Sequence, residues 1–476
     1  MIADITAPQN VDVRAIYEEM RRRYRAAPAP SLAERKANLD KLERAIHKHR
    51  AAIDAALLAD FRKSNYESEF TEIILTLTEL KHARANLEAW MKPQPVPGSL
   101  SMFGSSAELR YEPKGVVLIL SPWNYPFQLT IAPLVAALAA GNRCIVRPSE
   151  KAPHTRDVML RMLAEAFPQS DVAGVGGEVD VAEALLQLPF DHIFFTGSTR
   201  VGKLVMRAAA EHLASVTLEL GGKSPCVVDA DADIAWSAKR IAWGKFMNAG
   251  QTCVAPDYVL VHESRERAFL DALKAAVASM YGASASDRAA TADYCRIIDD
   301  GHFSRISQLL GDTIRGGAVV ETGGETDAAQ RYIAPTVLSN VGFDAPIMSE
   351  EIFGPVLPVI AFNTLDAAIA QINARPKPLA LYAFSKRSTV IDRIVNGTSS
   401  GAVVTNDTVL HWAHPNLPVG GVGESGTGSY HGQFGFKAFS HERAVLRQSK
   451  ASLVPLLAPP FGAKTKAMLA VLERLP

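Results

Sequence analysis

The sequence predicts an α/β protein built of two doubly wound α/β domains with a cleft between them. Three observations predict it. Between Gly115 and Ala230 five short apolar runs alternate with helical stretches, the strand–helix–strand repetition of a parallel sheet. A second alternating block follows Cys253. The 476 residues leave room for about three domains at ~150 residues each.

The elements follow in order. The opening MIADITAPQNVDVR has no basic patch followed by an apolar core, so no signal peptide is expected. SLAERKANLDKLERAIHKHRAAIDAALLADF then begins at Ser31 with Glu34 three residues on, a capping-box pattern. Leu39, Leu42, Ile46, Ile53 and Leu57 recur at helical steps, which predicts a surface helix packed on a sheet. MKPQPVPGSL breaks the pattern with three prolines and a glycine. GVVLIL (115–120), CIVRP (144–148), HIFFTG (192–197), VTLEL (216–220) and PCVVDA (225–230) read as strands, with helical stretches such as APHTRDVMLRMLAEAF and VGKLVMRAAAEHL between them. The second block supplies YVLVHE, YIAPTVL, PVLPVIAF, LYAFS and GAVVTN. LPVGGVGESGTGSYHGQFG (417–435) is too dense in glycine for a regular element and reads as a loop approaching something closely. KTKAMLAVLERLP closes the chain as a short amphipathic helix.

Bulk composition narrows the function. Apolar residues make up 48%, enough for sizeable cores. Lys+Arg and Asp+Glu both total 50, a balance that argues against nucleic acid as partner. No apolar run approaches the ~20 residues of a membrane span. The four cysteines, Cys144, Cys226, Cys253 and Cys295, form no CxxC pair, and no Cys/His spacing suggests zinc. A reduced, cytoplasmic setting is the expectation, with no metal.

Several short stretches could carry chemistry. In IFFTGSTRVGK a strand leads through Gly197, Ser198 and Gly202 into a helix, where the backbone could approach a phosphate; a tight turn would need the same residues. Arg147 and Glu150 follow a strand at the carboxyl end, where open α/β sheets place ligands. Glu219 ends an alternating strand against Gly221-Gly222 and is a candidate general base, more so if burial raises its pKa. Asn124, between two prolines in SPWNYPF, could donate to an oxyanion or serve its turn. Glu350 and Glu351 precede an aromatic and a Gly-Pro turn; such acidic pairs are usually solvated. NAGQTCVAP does not reveal whether Cys253 is buried structure or nucleophile.

Taken together and in this order, PWNYPF, GNRCIVRPSE, FTGSTRVGK, LELGGKSP, NAGQTC, EEIFGP and LPVGGVGESG resemble the aldehyde dehydrogenase superfamily. GQTCVAPDYVL, ADYCRII and GSYHGQFGFKAFSH resemble its class 3 branch, and PFDHIFFTG and APPFG are similar to bacterial coniferyl aldehyde dehydrogenases. The resemblance runs from about Leu32 to the last few residues.

It implies that Cys253 attacks an aldehyde, that the Asn124 amide and the Cys253 N–H hold the oxyanion, and that Glu219 activates the water that releases the acid from a thioester. It implies a nicotinamide cofactor bound by Ser121, Pro122, Trp123, Arg147, Ser149, Glu150, Gly197, Ser198, Gly202, Leu220, Gly221, Glu351 and Phe353. NAD is the first choice; NADP stays open, because Arg147 could favour a 2′-phosphate that Glu150 would repel. Tyr125, Thr252 and Val419 are placed in the substrate pocket, and the small Val419 suggests a mouth wide enough for medium-chain or aromatic aldehydes. The resemblance also implies a Rossmann-like cofactor domain (1–98 and 112–218), a catalytic domain (219–418), a small β bridging arm (99–111 and 425–445) with a tail (446–476), and a homodimer. A CoA-acylating enzyme and a silent structural relative are the competing readings, the first disfavoured by Glu219, the second by the joint presence of Cys253, Glu219 and Asn124.

Overall fold

The computed structural model describes residues 12–27, 29–98, 102–452 and 454–473. Most of the opening stretch, in which no signal peptide is expected, residues 99–101 at the start of the expected arm, and the last three residues lie outside them.

The capping box forms: the Ser31 backbone N–H donates to Glu34 Oε2 at 2.8 Å and the Glu34 N–H to Ser31 Oγ at 3.3 Å. It opens a helix over Leu32–Phe61, whose predicted stripe, Leu39 to Leu57, is fully buried. A π-helical turn, Glu69–Ile74, then leads into the helix Leu75–Met91.

A six-stranded sheet follows the order Gly426–Thr427, Ser215–Glu219, His192–Thr196, Val116–Leu120, Arg143–Arg147, Val172–Gly174, parallel except at the first pair. Its inner strands are buried on both faces, as parallel sheets require. Val117 and Ile119 enter one core; Val116, Leu118 and Leu120 enter another. From Val116–Leu120 the chain builds outward one way, then crosses back to His192–Thr196 on the other side. That reversal opens a crevice at the strands' carboxyl ends.

A seven-stranded sheet follows the order Val319–Thr322, Thr336–Ser339, Val356–Phe362, Tyr258–His262, Pro225–Val228, Ala380–Phe384, Ala402–Thr405, again parallel except at its first pair. The predicted pair of doubly wound α/β units is therefore present. A third, antiparallel sheet joins Gln94–Val96, Ser105–Pro113 and Ser440–Gln448. The segment expected to open the second half of the arm behaves differently: Gly426–Thr427 pairs with Leu218 and Glu219 in the six-stranded sheet. The closing helix, Ala463–Leu472, buries none of its residues. Among the described residues no helix is long and apolar enough to cross a membrane, and no cluster of His, Cys, Asp and Glu could hold a metal.

Candidate active site

The six-stranded sheet delivers several expected residues to one edge. Leu120 is level with Arg147 and Phe195, and Thr196 with Glu219, so the segments that follow emerge side by side. Gly197 donates its N–H to the Glu219 carbonyl at 3.0 Å, and Ser198 caps the helix Thr199–Ala210 by accepting from the Val201 N–H. The second sheet contributes from the opposite ends: Cys253 precedes Tyr258–His262, and Glu351 and Phe353 precede Val356–Phe362.

Cys253 is presented by a constrained turn. Helix Ile234–Phe246 ends at Met247–Gly250, where Asn248, Ala249 and Gly250 all take positive φ (53°, 50° and 73°). A Cβ on Gly250 would overlap the Gly354 carbonyl oxygen, so glycine is needed for space as well as conformation. Gln251 closes the loop, donating to the carbonyls of Asn248 (3.0 Å) and Arg296 (3.1 Å) and accepting from the Ile298 N–H (3.0 Å). Asn248 Nδ2 donates to the Asn124 backbone carbonyl at 2.8 Å, and Asn124 Nδ2 donates to the Gln251 carbonyl at 3.0 Å. One side-chain N–H of Asn124 is thus committed to the loop and the second remains available. Cys144, Cys226 and Cys295 are buried; Cys253 alone of the four is partly open.

A cleft is lined by Pro122, Trp123, Asn124, Gly197, Ser198, Glu219, Leu220, Gly221, Cys253, Glu351 and Phe353, all predicted. On the far side of the sulfur lies an apolar chamber lined by Tyr125, Thr252 and Cys253 together with Phe70, Trp243 and Trp412. Tyr125 and Thr252 are joined by a 2.7 Å hydrogen bond between their hydroxyls.

Electrostatics set these groups apart. Glu219 is 2% exposed, neither carboxylate oxygen has a partner, and burial raises its pKa well above the usual carboxylate range. Burial likewise raises the Cys253 thiol, with the carboxyls of Glu351 and Glu219 adding to the effect. Glu351 is pushed up to about 8, chiefly by burial and then by Asp257. Its carboxyl packs where a Cβ on Gly221 would otherwise sit. The loop carrying it is pinned: Lys223 pairs with Asp257 and donates to the carbonyls of Ile347 and Glu350, while Asp257 Oδ1 accepts from the Ile352 N–H at 2.9 Å.

The chain belongs to the aldehyde dehydrogenase family. The profile of that family matches residues 1–445. Membership makes this an enzyme that oxidises aldehydes with a nicotinamide cofactor. The chain is 46% identical over 439 residues to the human aldehyde dehydrogenase family 3 member B1, an alignment covering 92% of each protein. It is 44% identical to the dimeric NADP-preferring aldehyde dehydrogenase of Rattus norvegicus, over 90% of this chain and 93% of the relative. Its fold matches the substrate-bound AldH of Staphylococcus aureus with a TM-score of 0.93 and 41% identity, covering 97% of this chain and 100% of that one.

Not every expected residue lines the cleft of this aldehyde dehydrogenase. Gly202 lies one turn into its helix, where a Cβ would press on Leu220, so its smallness serves helix–strand packing. Arg147 lies at the end of the neighbouring strand and is engaged by Glu150 (2.7 Å) and by the carbonyls of Gly177 and Glu178. Ser149 and Ser121 are buried beside it, Ser121 Oγ with no partner. Val419 lines neither cavity: it is 2% exposed and locked to Tyr430 by two backbone hydrogen bonds. Its size therefore does not widen the pocket mouth. Conversely His302, Arg305 and Glu350 line the cleft unpredicted; the acidic pair read as solvated places both members there. Trp123 packs edge-on against His302 and Phe353 at 4.6 and 5.3 Å.

Proposed function

We propose that this enzyme oxidises medium-chain or aromatic aldehydes to carboxylic acids, with Cys253 as nucleophile, Asn124 as oxyanion donor and Glu219 as base. One observation carries the reading: the Cys253 side chain stands in the wall shared by an apolar chamber and a polar, glycine-lined cleft. An aldehyde held in the chamber meets the sulfur from one side while a cofactor meets it from the other.

The cleft residues fit a dinucleotide. The crevice lies where strand order reverses, the start of helix Thr199–Ala210 faces it, and the buried Thr196 Oγ1 there has no partner. Glu351 and Phe353 would hold the nicotinamide end; Arg147, Ser149 and Glu150 would meet the adenosine ribose. The bond between Arg147 and Glu150 leaves the guanidinium already satisfied in part, which supports NAD as first choice with NADP use open. Bound NAD(P)+ supplies the hydride acceptor that makes a thioester from the thiohemiacetal.

The protein's own groups do the rest. Cys253 gives its proton to solvent and, as thiolate, attacks the carbonyl carbon; the free N–H of Asn124 and the Cys253 N–H receive the oxyanion. Glu219, desolvated and unpaired, accepts a proton from the water that hydrolyses the thioester. Acid formed without added CoA is the expected product; acyl-CoA formation with no free acid would favour the acylating alternative. The chamber's aromatic and aliphatic lining supports apolar substrates, so octanal and benzaldehyde should show higher kcat/KM than acetaldehyde; the reverse order would defeat the substrate assignment.

Within the same proposal, segments 1–98 and 112–218 form the cofactor domain, 219–418 the catalytic domain, and 99–111 with 425–445 the arm. The chain forms a homodimer through strand addition. Ala402–Thr405 pairs on one side alone and Ser440–Gln448 closes the three-stranded sheet, so both offer open edges. All four cysteines are free thiols, in keeping with a reducing, cytoplasmic setting.

A further inference from the structure

A second, smaller cavity, of a size for a water or a hydroxyl, lies against the apolar chamber. The two share Leu75, Gln128, Trp412 and Ala413 as a common wall. The chemistry changes across it. The aldehyde chamber is dominated by apolar side chains, whereas the smaller cavity brings Glu79 and His431 together.

Both groups are more than nine-tenths buried, with 7% and 5% exposure. His431 Nε2 has no hydrogen-bond partner. The ring is held edge-on by Trp412 and Tyr430, with centroids 5.4 and 4.4 Å away, on a backbone with φ of 75°. Burial, with His411 adding, pushes the imidazole down to about 3, so it is neutral. A neutral imidazole keeps one ring nitrogen as an acceptor, and Nε2 is the ring nitrogen left without a partner. Glu79 Oε1 accepts from the Gly432 N–H at 2.7 Å, and burial pushes this carboxyl up to about 7. A carboxyl group and an unpartnered imidazole nitrogen therefore line the same cavity, and Nε2 has no partner among the described residues. An unpaired buried acceptor is destabilising, and a ligand that brings a donor removes the cost.

We propose that this cavity is a distal substrate subsite that takes a neutral hydroxyl at the end of the aldehyde remote from its carbonyl. The hydroxyl donates to His431 Nε2 or Glu79 and can accept from the Gln128 amide at the common wall. A carboxylate would meet acceptors and the Glu79 charge. An ammonium would need an ionised Glu79 as its partner, and the burial that raises that carboxyl to about 7 disfavours both charges, whereas a hydroxyl needs neither. The inference rests on the reading of Cys253 as the nucleophile, because that sulfur places the carbonyl end.

The test is a series of ω-hydroxyalkanals and matched n-alkanals, from four to about twelve carbons, assayed with NAD on the full-length enzyme. At one chain length the hydroxyalkanal should exceed its alkanal in kcat/KM by about tenfold. That ratio should fall to about one in His431→Phe and in Glu79→Gln, the latter keeping an acceptor for Gly432. A ratio at or below one at every length, or a preference that survives both substitutions, overturns the subsite. If either variant fails to fold, the wild-type series still decides, since a length-dependent maximum is required. Alkanals oxidised with no hydroxyl preference would sink the subsite and leave the reaction standing; no turnover on any aldehyde would remove both.

Discussion

At the residue scale, the proposed chemistry rests on three side chains, Cys253, Asn124 and Glu219, that line one cleft. Asn124 has one side-chain N–H committed to Gln251, so its contribution to an oxyanion is the other. Asn124→Ala should lower kcat by roughly 10²- to 10³-fold, the usual loss for one oxyanion donor, while the NAD dissociation constant changes little; steady-state kinetics with direct cofactor titration would check both. Cys253 and Glu219 both titrate high because burial disfavours their charged forms. kcat/KM should therefore rise as pH increases through neutrality into the alkaline range, and a profile that falls from pH 6 to 8.5 would contradict the assignment. Glu351 gives a stability counterpart. Its folded pKa, about 8, stands above the 4.5 of a free glutamate, so the folded state holds the extra proton. The stability linked to that proton is present in full below about 4.5 and is lost as pH rises through about 8. Glu351→Gln should melt above wild type at pH 8.5, with the gap closing towards pH 5.

Which of these residues could be read from the sequence follows from how they are placed. Glu219 ends a strand whose alternation is plain, and Cys253, Asn124 and the two glycines beside Glu219 sit in short contiguous motifs. Val419 could not be judged that way, because its burial is decided by a bridge to Tyr430 that no local pattern announces. Trp412 and Phe70 reach the aldehyde chamber from loops and turns far apart in the chain, and His302 from the start of helix Asp300–Arg315. Position 350 was legible as acid but not as cleft lining: its side chain pairs with Arg305 at 2.8 Å while remaining half exposed.

At the scale of elements, the strands were legible because parallel strands buried on both faces are short apolar runs. The π-helical turn Glu69–Ile74 was not, since the same side chains suit an α-helix. Its Glu72 explains the local departure: the carboxylate pairs with Lys63 at 2.7 Å, both fully buried, and also accepts from the N–H groups of Phe127 and Gln128. Lys63→Met strands that carboxylate and should destabilise the enzyme by about 3–5 kcal/mol, read from denaturant unfolding. The turn Met247–Gly250 is the second sensitive element. Positive φ recurs around the site at Asn248, Ala249, Phe353, Val409 and His431, a pattern of backbone strain retained near function. Gly250→Ala should lower the melting temperature and reduce kcat more than it raises the KM for NAD, because the overlap with Gly354 displaces the loop that carries Cys253.

At the scale of the whole molecule, the two sheets play complementary parts. The first turns its carboxyl ends towards the cleft, and the second supplies Cys253 and Glu351 from ahead of its strands. The alternation of strands and helices gave both sheets, but their mutual orientation needed the three-dimensional packing. The same holds for Gly426–Thr427, which adds to the first sheet although its neighbours run to the arm. Sedimentation analysis should show a dimer, and a proline at Val445, within the outer strand of the arm, should shift it towards monomer.

The most direct measurement is mass spectrometry of the Glu219→Gln enzyme, quenched and digested after mixing with NAD and octanal. The account predicts an octanoyl mass increment on the peptide containing Cys253, absent when NAD is omitted. An unmodified Cys253 peptide alongside normal acid production, or the acyl group on another side chain, would contradict it.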